Sequence, residues 1–176
     1  LQADLGIELD EFLHPDGRLA ILAPPALRQV LAARALIRCQ DSIRRCIDRD
    51  RRRALALAVG DRALAQLQDR PAATAGGEPL PADLAPDALA RRGWQMVSHD
   101  RACRNATLAN IVELSLALVA GGEAWQRILR PGGDGSAGAG ADKRSTDAPP
   151  RPGDSDTSRF FSVAGDLFPE FQWLFG

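Results

Sequence analysis

The side chains in this sequence best able to do chemistry are few: Cys39, Cys46, Cys103, His14 and His99. A metal needs several such groups converging on one point. Cys39 and Cys46 lie seven residues apart on what reads as one helix face, about 10.5 Å along the axis, too far to share a zinc or close a disulfide. Core packing accounts for both. His99-Asp100 followed by Cys103 offers the residue types of a Cys/His nucleophile pair, but its spacing matches no such motif. The glycine-rich run Gly132 to Gly140 lacks the Gly-Lys-Ser/Thr ending of a phosphate loop and leads into no clear helix. No carboxylate pair sits inside an apolar segment, where its pKa would be tuned. The residues therefore predict no catalytic, metal or cofactor site, and a protein that is not an enzyme.

One charge anomaly stands out. From Arg38 to Arg53 the chain carries seven Arg against Asp41, Asp48 and Asp50. Such a run can meet phosphates, which keeps a nucleic-acid-binding or regulatory helical protein as the alternative. The interleaved Asp residues and the lack of stacking aromatics favour a solvated, ion-paired helix face that docks protein. Arg44, Arg45, Arg49 and Arg52 are the basic candidates for that contact. The aromatic ones are Phe168, Phe171, Trp173 and Phe175 in a tail that holds five of the six Phe residues.

The elements that position these residues read as helices. Ala, Leu and Arg recur throughout, Tyr is absent, and strand formers are thin and scattered. Leu5, Leu9, Phe12 and Leu13 have helical spacing up to Pro15. Leu27, Leu31, Ala35, Cys39, Ile43, Cys46 and Ile47 then form one long apolar stripe. It predicts Ile43, Cys46 and Ile47 in the core, with Arg45 and Asp48 outside. A further helix runs through Leu55, Val59, Ala63, Leu64 and Leu67, with Gly60 as a joint or a weak spot. Pro71 to Pro81 reads as a linker, Asp83 to Ser98 as a helix, and Arg101 to Ala120 as a helix in the middle of the bundle. A short turn follows around Trp125 to Leu129.

The expected organisation is a single irregular all-α bundle. Residues 1–130 form the helical domain. Residues 131–158, rich in Gly, Pro and Asp, form a disordered linker. Residues 159–176 form an aromatic helix that returns to the domain, the competing reading being that it docks to a partner. The net charge of −1 supplies no field toward nucleic acid or an anionic membrane. No apolar run has the length of a membrane span. Leu1 to Leu5 lack the basic start of a secretory leader, and an odd cysteine set is no disulfide framework. A reducing cytoplasm is the expected location.

The block from Leu31 to Ile47, with Ile43-Arg44-Arg45-Cys46-Ile47 at its end, resembles the signature helix of the SctK (YscK/PscK-like) family of type III secretion proteins. Three shorter strings match in the same order: Phe12-Leu13-His14-Pro15, Trp125 through Arg130-Pro131, and Phe168-Pro169 with Trp173-Leu174-Phe175. The stretch from Pro15 to Leu27 is shorter than the family pattern, and Arg38-Cys39-Gln40 stands where Leu-His-Gly is common. The resemblance implies a helical, non-enzymatic adaptor of the cytoplasmic sorting platform. It would join the C-ring-like pod protein SctQ to the cytoplasmic domain of the ring protein SctD, with the SctL stator and the SctN ATPase further along. It implies no cofactor, no nucleic acid, and contact with the inner membrane only through partners.

Overall fold

The structure is a computed structural model and describes Phe12 and residues 14–70, 77–100, 105–117 and 156–175. Among these residues every regular element is helical and none is a strand, so the fold is all-α as the composition predicts. A short helix α1 (Pro15–Arg18) runs into a 3-10 turn at Leu19–Ile21, and α2 spans Pro24–Leu36. Pro24 and Pro25 start α2 because proline lacks the N–H that the first helical turn leaves unpaired anyway. From Val30 to Leu36 every residue of α2 is buried, and this helix is the axis of the core.

The apolar stripe does not continue as one helix. Residues Ile37 to Cys39 turn, α3 is confined to Gln40–Arg44, and Cys46 to Asp48 are non-helical before α4 begins at Arg49–Val59. The first break opens the Arg38 carbonyl, which accepts the Glu78 N–H at 2.9 Å. Ser42 Oγ donates to the Glu78 carbonyl at 2.9 Å. Residues 77–80, read from sequence as linker, are thus pinned across α3, while 71–76 lie outside the described residues. The second break is set by Asp48, whose carboxylate caps α4 by accepting the N–H groups of Asp50 and Arg51. Ile43 stays fully buried, but Cys46 is half-buried and Ile47 is 92% exposed, which corrects the predicted placing of Cys46 and Ile47 in the core. Arg45 and Asp48 are exposed, as expected.

Gly60 is a true joint. Its φ of 86°, a region closed to most side chains, turns α4 into α5 (Asp61–Asp69). Helix α6 (Pro86–His99) buries Leu89, Ala90, Gly93, Trp94 and Val97 against α2. The crossing is close enough that a Cβ on Gly93 would stand 1.8 Å from the Leu31 carbonyl oxygen. Helix α7 (Ala106–Ala117), capped by Asn105, buries only Leu108, Val112 and Leu116 and leaves Ile111 and Leu114 part-exposed. Among the described residues it packs on one side of the bundle rather than at its middle.

The tail begins earlier than the sequence reading placed it. Helix α8 spans Asp156–Leu167, so Asp156, Thr157 and Ser158 are helical rather than linker. The chain then turns through a 3-10 segment at Pro169–Phe171 into α9 (Gln172–Phe175). Phe160, Ala164, Leu167, Phe168 and Leu174 are buried in the same core as α2. The segments read at residues 1–11, Trp125 to Leu129 and 131–155 lie outside the described residues.

Candidate functional site

Arginines first have to be sorted into those that hold the fold together and those free to meet something else. Arg34 is buried and crosses from α2 to the ends of two other helices. Its Nη2 meets Asp100 Oδ2 at 3.0 Å and its Nε donates to Thr157 Oγ1 at 2.9 Å. Asp100 also accepts the Thr157 N–H at 3.1 Å and its hydroxyl at 2.5 Å. Burial alone would push the Asp100 carboxyl up, but the Thr157 and Arg34 hydrogen bonds, with the guanidinium charge, hold it below the usual carboxylate range. The triad ties the start of α8 to α2 and α6. Arg38 adds an outer layer, pairing with Glu78 and with Asp156, each at 3.2 Å.

Arg44 also belongs to the fold. It donates to the carbonyls of Gln68 and Arg70 at the end of α5, where a helix leaves its acceptors unpaired and a cation is favoured. Arg70 in turn reaches Asp166 of α8 at 2.6 Å. Arg18 does the same for α9 by donating to the Leu174 carbonyl. Of the predicted contact residues, Arg44 is therefore a latch between α3 and α5, and Phe168 is core.

The aromatic tail divides similarly. Phe175 stacks on Phe161 with centroids 5.9 Å apart and is buried, while Phe171 is half-buried against Phe168. Trp173 alone projects, 73% exposed. Phe168 and Phe175 thus lie inside the bundle, not on its surface.

One group of outward arginines lies around the α3–α4 junction. Among the described residues Arg45 has one ion pair, with Asp41 at 4.0 Å. The side chains of Arg49, Arg52 and Arg53 are exposed and make no ion pair among the described residues. Between these arginines stands Ile47. Beside it opens a groove of about 570 Å³ lined by Ser42, Arg45, Cys46, Ile47, Asp48, Arg51, Gly77, Pro79 and Leu80. The structure brings Arg45 to this groove and places Arg49 and Arg52 on the helix that borders it. Trp173 is not among its lining residues. The sequence reading missed Ile47 and Arg51 here. The signal available was Asp48, an N-cap residue standing before the Ala/Leu run of α4.

Among the described residues the thiols and imidazoles do not assemble. Cys39 is fully buried, with its Sγ 3.5 Å from the Pro79 carbonyl oxygen, and burial together with the Glu78 charge pushes its pKa up to about 11. His99 is exposed at the end of α6, and Cys103 lies outside the described residues. No group of three or more His, Cys, Asp or Glu among the described residues could hold a metal ion. None of the described helices is long and apolar enough to cross a membrane.

Residues 4–144 match the model of a family described as bacterial type III secretion protein (HrpB4). No curated protein and no solved structure matches.

Proposed function

Because the chain belongs to the HrpB4 family of bacterial type III secretion proteins, we propose that it is a non-enzymatic assembly adaptor in the cytoplasmic sorting platform of that machinery. It joins a SctQ-like pod protein to the cytoplasmic domain of a SctD-like ring protein. Through them it connects to the SctL stator and the SctN ATPase, and it meets the inner membrane only through these partners. The observation that carries this reading is the family match over residues 4–144, well over half of the chain. The SctK-like string at Leu31 to Ile47 lies inside that span.

The chemistry of the bundle supports an adaptor over an enzyme. The Cys39 thiol, with a pKa of about 11, stays protonated at neutral pH and is a poor nucleophile. The Asp100 carboxylate is saturated by Arg34 and Thr157. The exposed side chains at the α3–α4 junction suit an interaction surface: arginines around one branched apolar residue.

The test is co-purification of the tagged full chain with SctQ-like and SctD-like proteins from the same secretion system, together with secretion by a strain lacking the chain. An adaptor retains both partners, and its loss stops secretion. Failure to retain either partner, or normal secretion without the chain, overturns the reading.

A further inference from the structure

Ile47 is the most exposed of the large apolar side chains among the described residues, at 92%, and its setting is built rather than incidental. It sits in a non-helical step whose ends are fixed on both sides. Ile43 anchors α3 in the core, and the Cys46 N–H bonds to the Ile43 carbonyl at 3.1 Å. Asp48 caps α4 on the other side. The strap 77–80 forms the opposite wall, held by the Glu78 backbone and by the Glu78 carboxylate between Arg38 and Arg92. A rigid step thus carries one apolar knob at the mouth of a groove of about 570 Å³.

Charge around the groove is predominantly positive. From Arg44 to Arg53 there are six Arg and two Asp, on a chain whose net charge is −1. Asp48 is occupied in capping α4, and Asp41 and Glu78, nearby on α3 and the strap, are already paired with arginines. Arg49, Arg52 and Arg53 on α4 are exposed with no ion pair among the described residues. On the groove, Arg45 reaches Asp41 only at 4.0 Å, while Arg51 donates to the neutral Pro81 carbonyl at 3.4 Å.

We infer that the groove between the α3–α4 junction and the 77–80 strap docks an acidic segment of a partner protein. Its carboxylates meet the arginine rim, and one apolar side chain packs beside Ile47. Charge complementarity selects the occupant, and a phosphate backbone is the poorer fit. Its aliphatic lining is Ile47, Pro79 and Leu80, and no aromatic ring lines it for bases to stack on. The rim charges speed and orient encounter, while the desolvated apolar contact holds the complex. The inference deepens the adaptor reading by naming the surface and the chemistry it accepts.

The probe is a labelled synthetic peptide of Glu and Asp around a central Leu-Phe pair. It is compared with the same peptide carrying Ser in place of that pair, and with a short DNA duplex, all titrated against the full chain. The acidic apolar peptide binds, and the Ser version binds roughly tenfold more weakly. Ile47→Asp weakens the first peptide by a similar factor without moving the melting temperature. The triple change Arg49→Glu, Arg52→Glu, Arg53→Glu weakens it and removes most of its salt dependence. Equal binding of both peptides, no binding, or full binding by Ile47→Asp overturns the proposal. Tighter binding of the duplex assigns the surface to nucleic acid instead. A fall in melting temperature with Ile47→Asp assigns it to this chain's own packing, and a dimer dispersed by that change assigns it to a second copy; both overturn the proposal. Co-purification separates this failure from failure of the adaptor reading. An Ile47→Asp chain that still retains both partners sinks the groove and leaves the adaptor, whereas a wild-type chain that retains neither sinks the adaptor.

Discussion

Replacing Gly93 with Ala isolates the contact on which α2 and α6 depend. On an exposed helix the change would stabilise, because Ala is favoured over Gly by roughly 0.8–1 kcal/mol. Here the added Cβ lands 1.8 Å from the Leu31 carbonyl oxygen and 2.6 Å from its carbon. Those atoms are backbone, so no rotamer change relieves the overlap. Restoring an ordinary 3.4 Å contact requires α6 to move away from α2 by some 1.6 Å. A radial gap of 0.5–1 Å already forfeits about a quarter to a half of each dispersion contact. The pairs affected include Leu27, Val30 and Leu31 on one helix and Leu89, Ala90 and Val97 on the other, all fully or almost fully buried. Overpacking costs of about 1–3 kcal/mol are usual where side chains can yield. With rigid backbone on one side, about 3 kcal/mol or more net is expected, even after the propensity gain. At roughly 2–4 °C per kcal/mol for a chain of this size, the melting temperature falls by about 6–12 °C. Thermal unfolding followed by circular dichroism measures it, with Gln95→Ala on the exposed face of α6 as the control for propensity. A Gly93→Ala protein that melts at or above the wild-type temperature would refute the close crossing.

Three further outcomes follow from the same geometry. Ile43→Ala costs about 2–5 kcal/mol while Ile47→Ser stays within about 0.5 kcal/mol, since one side chain is fully buried and the other is 92% exposed; equal costs in urea unfolding would restore the continuous helix. Because the folded-state pKa of Asp100 lies below its ordinary value of 3.8, its share of stability is complete above that value and drains as pH falls through the folded one. Asp100→Asn therefore loses about 3–5 kcal/mol near neutral pH by stranding the buried Arg34, and the gap to wild type narrows in acid; a constant gap from neutral pH down through the titration would contradict the ion pair. In a Cys103→Ala background, Cys46 reacts with a thiol reagent in the native state and Cys39 only on unfolding, as burial and a pKa of about 11 require; rapid reaction of both thiols would show that the 77–80 strap does not close over Cys39.

Local chemistry in the sequence determines a good part of this protein. A composition rich in Ala, Leu and Arg, with few strand formers, leaves helices as the available elements. Gly60 marks the joint between α4 and α5, while α6, read from Asp83, begins at Pro86. The string at Leu31 to Ile47 points to type III secretion, and the family match agrees. These signals are legible because propensity, proline and glycine act over a few residues. Tertiary structure alone decides the rest. The apolar stripe is periodic through Ile47, yet the helix breaks after Leu36, where the Arg38 carbonyl bonds to Glu78, forty residues away in sequence. No local pattern encodes a partner that folding brings from that distance. For the same reason Arg44 reads like its neighbour Arg45 but serves the end of α5, and nothing local in α6 tells that Gly93 is where α2 passes. Periodicity assigns a residue to a face of its own helix; which faces are covered depends on how the other helices cross it. That is why Ile47, read as core, stands in water, and why Phe168, read as a contact residue, lies inside the bundle.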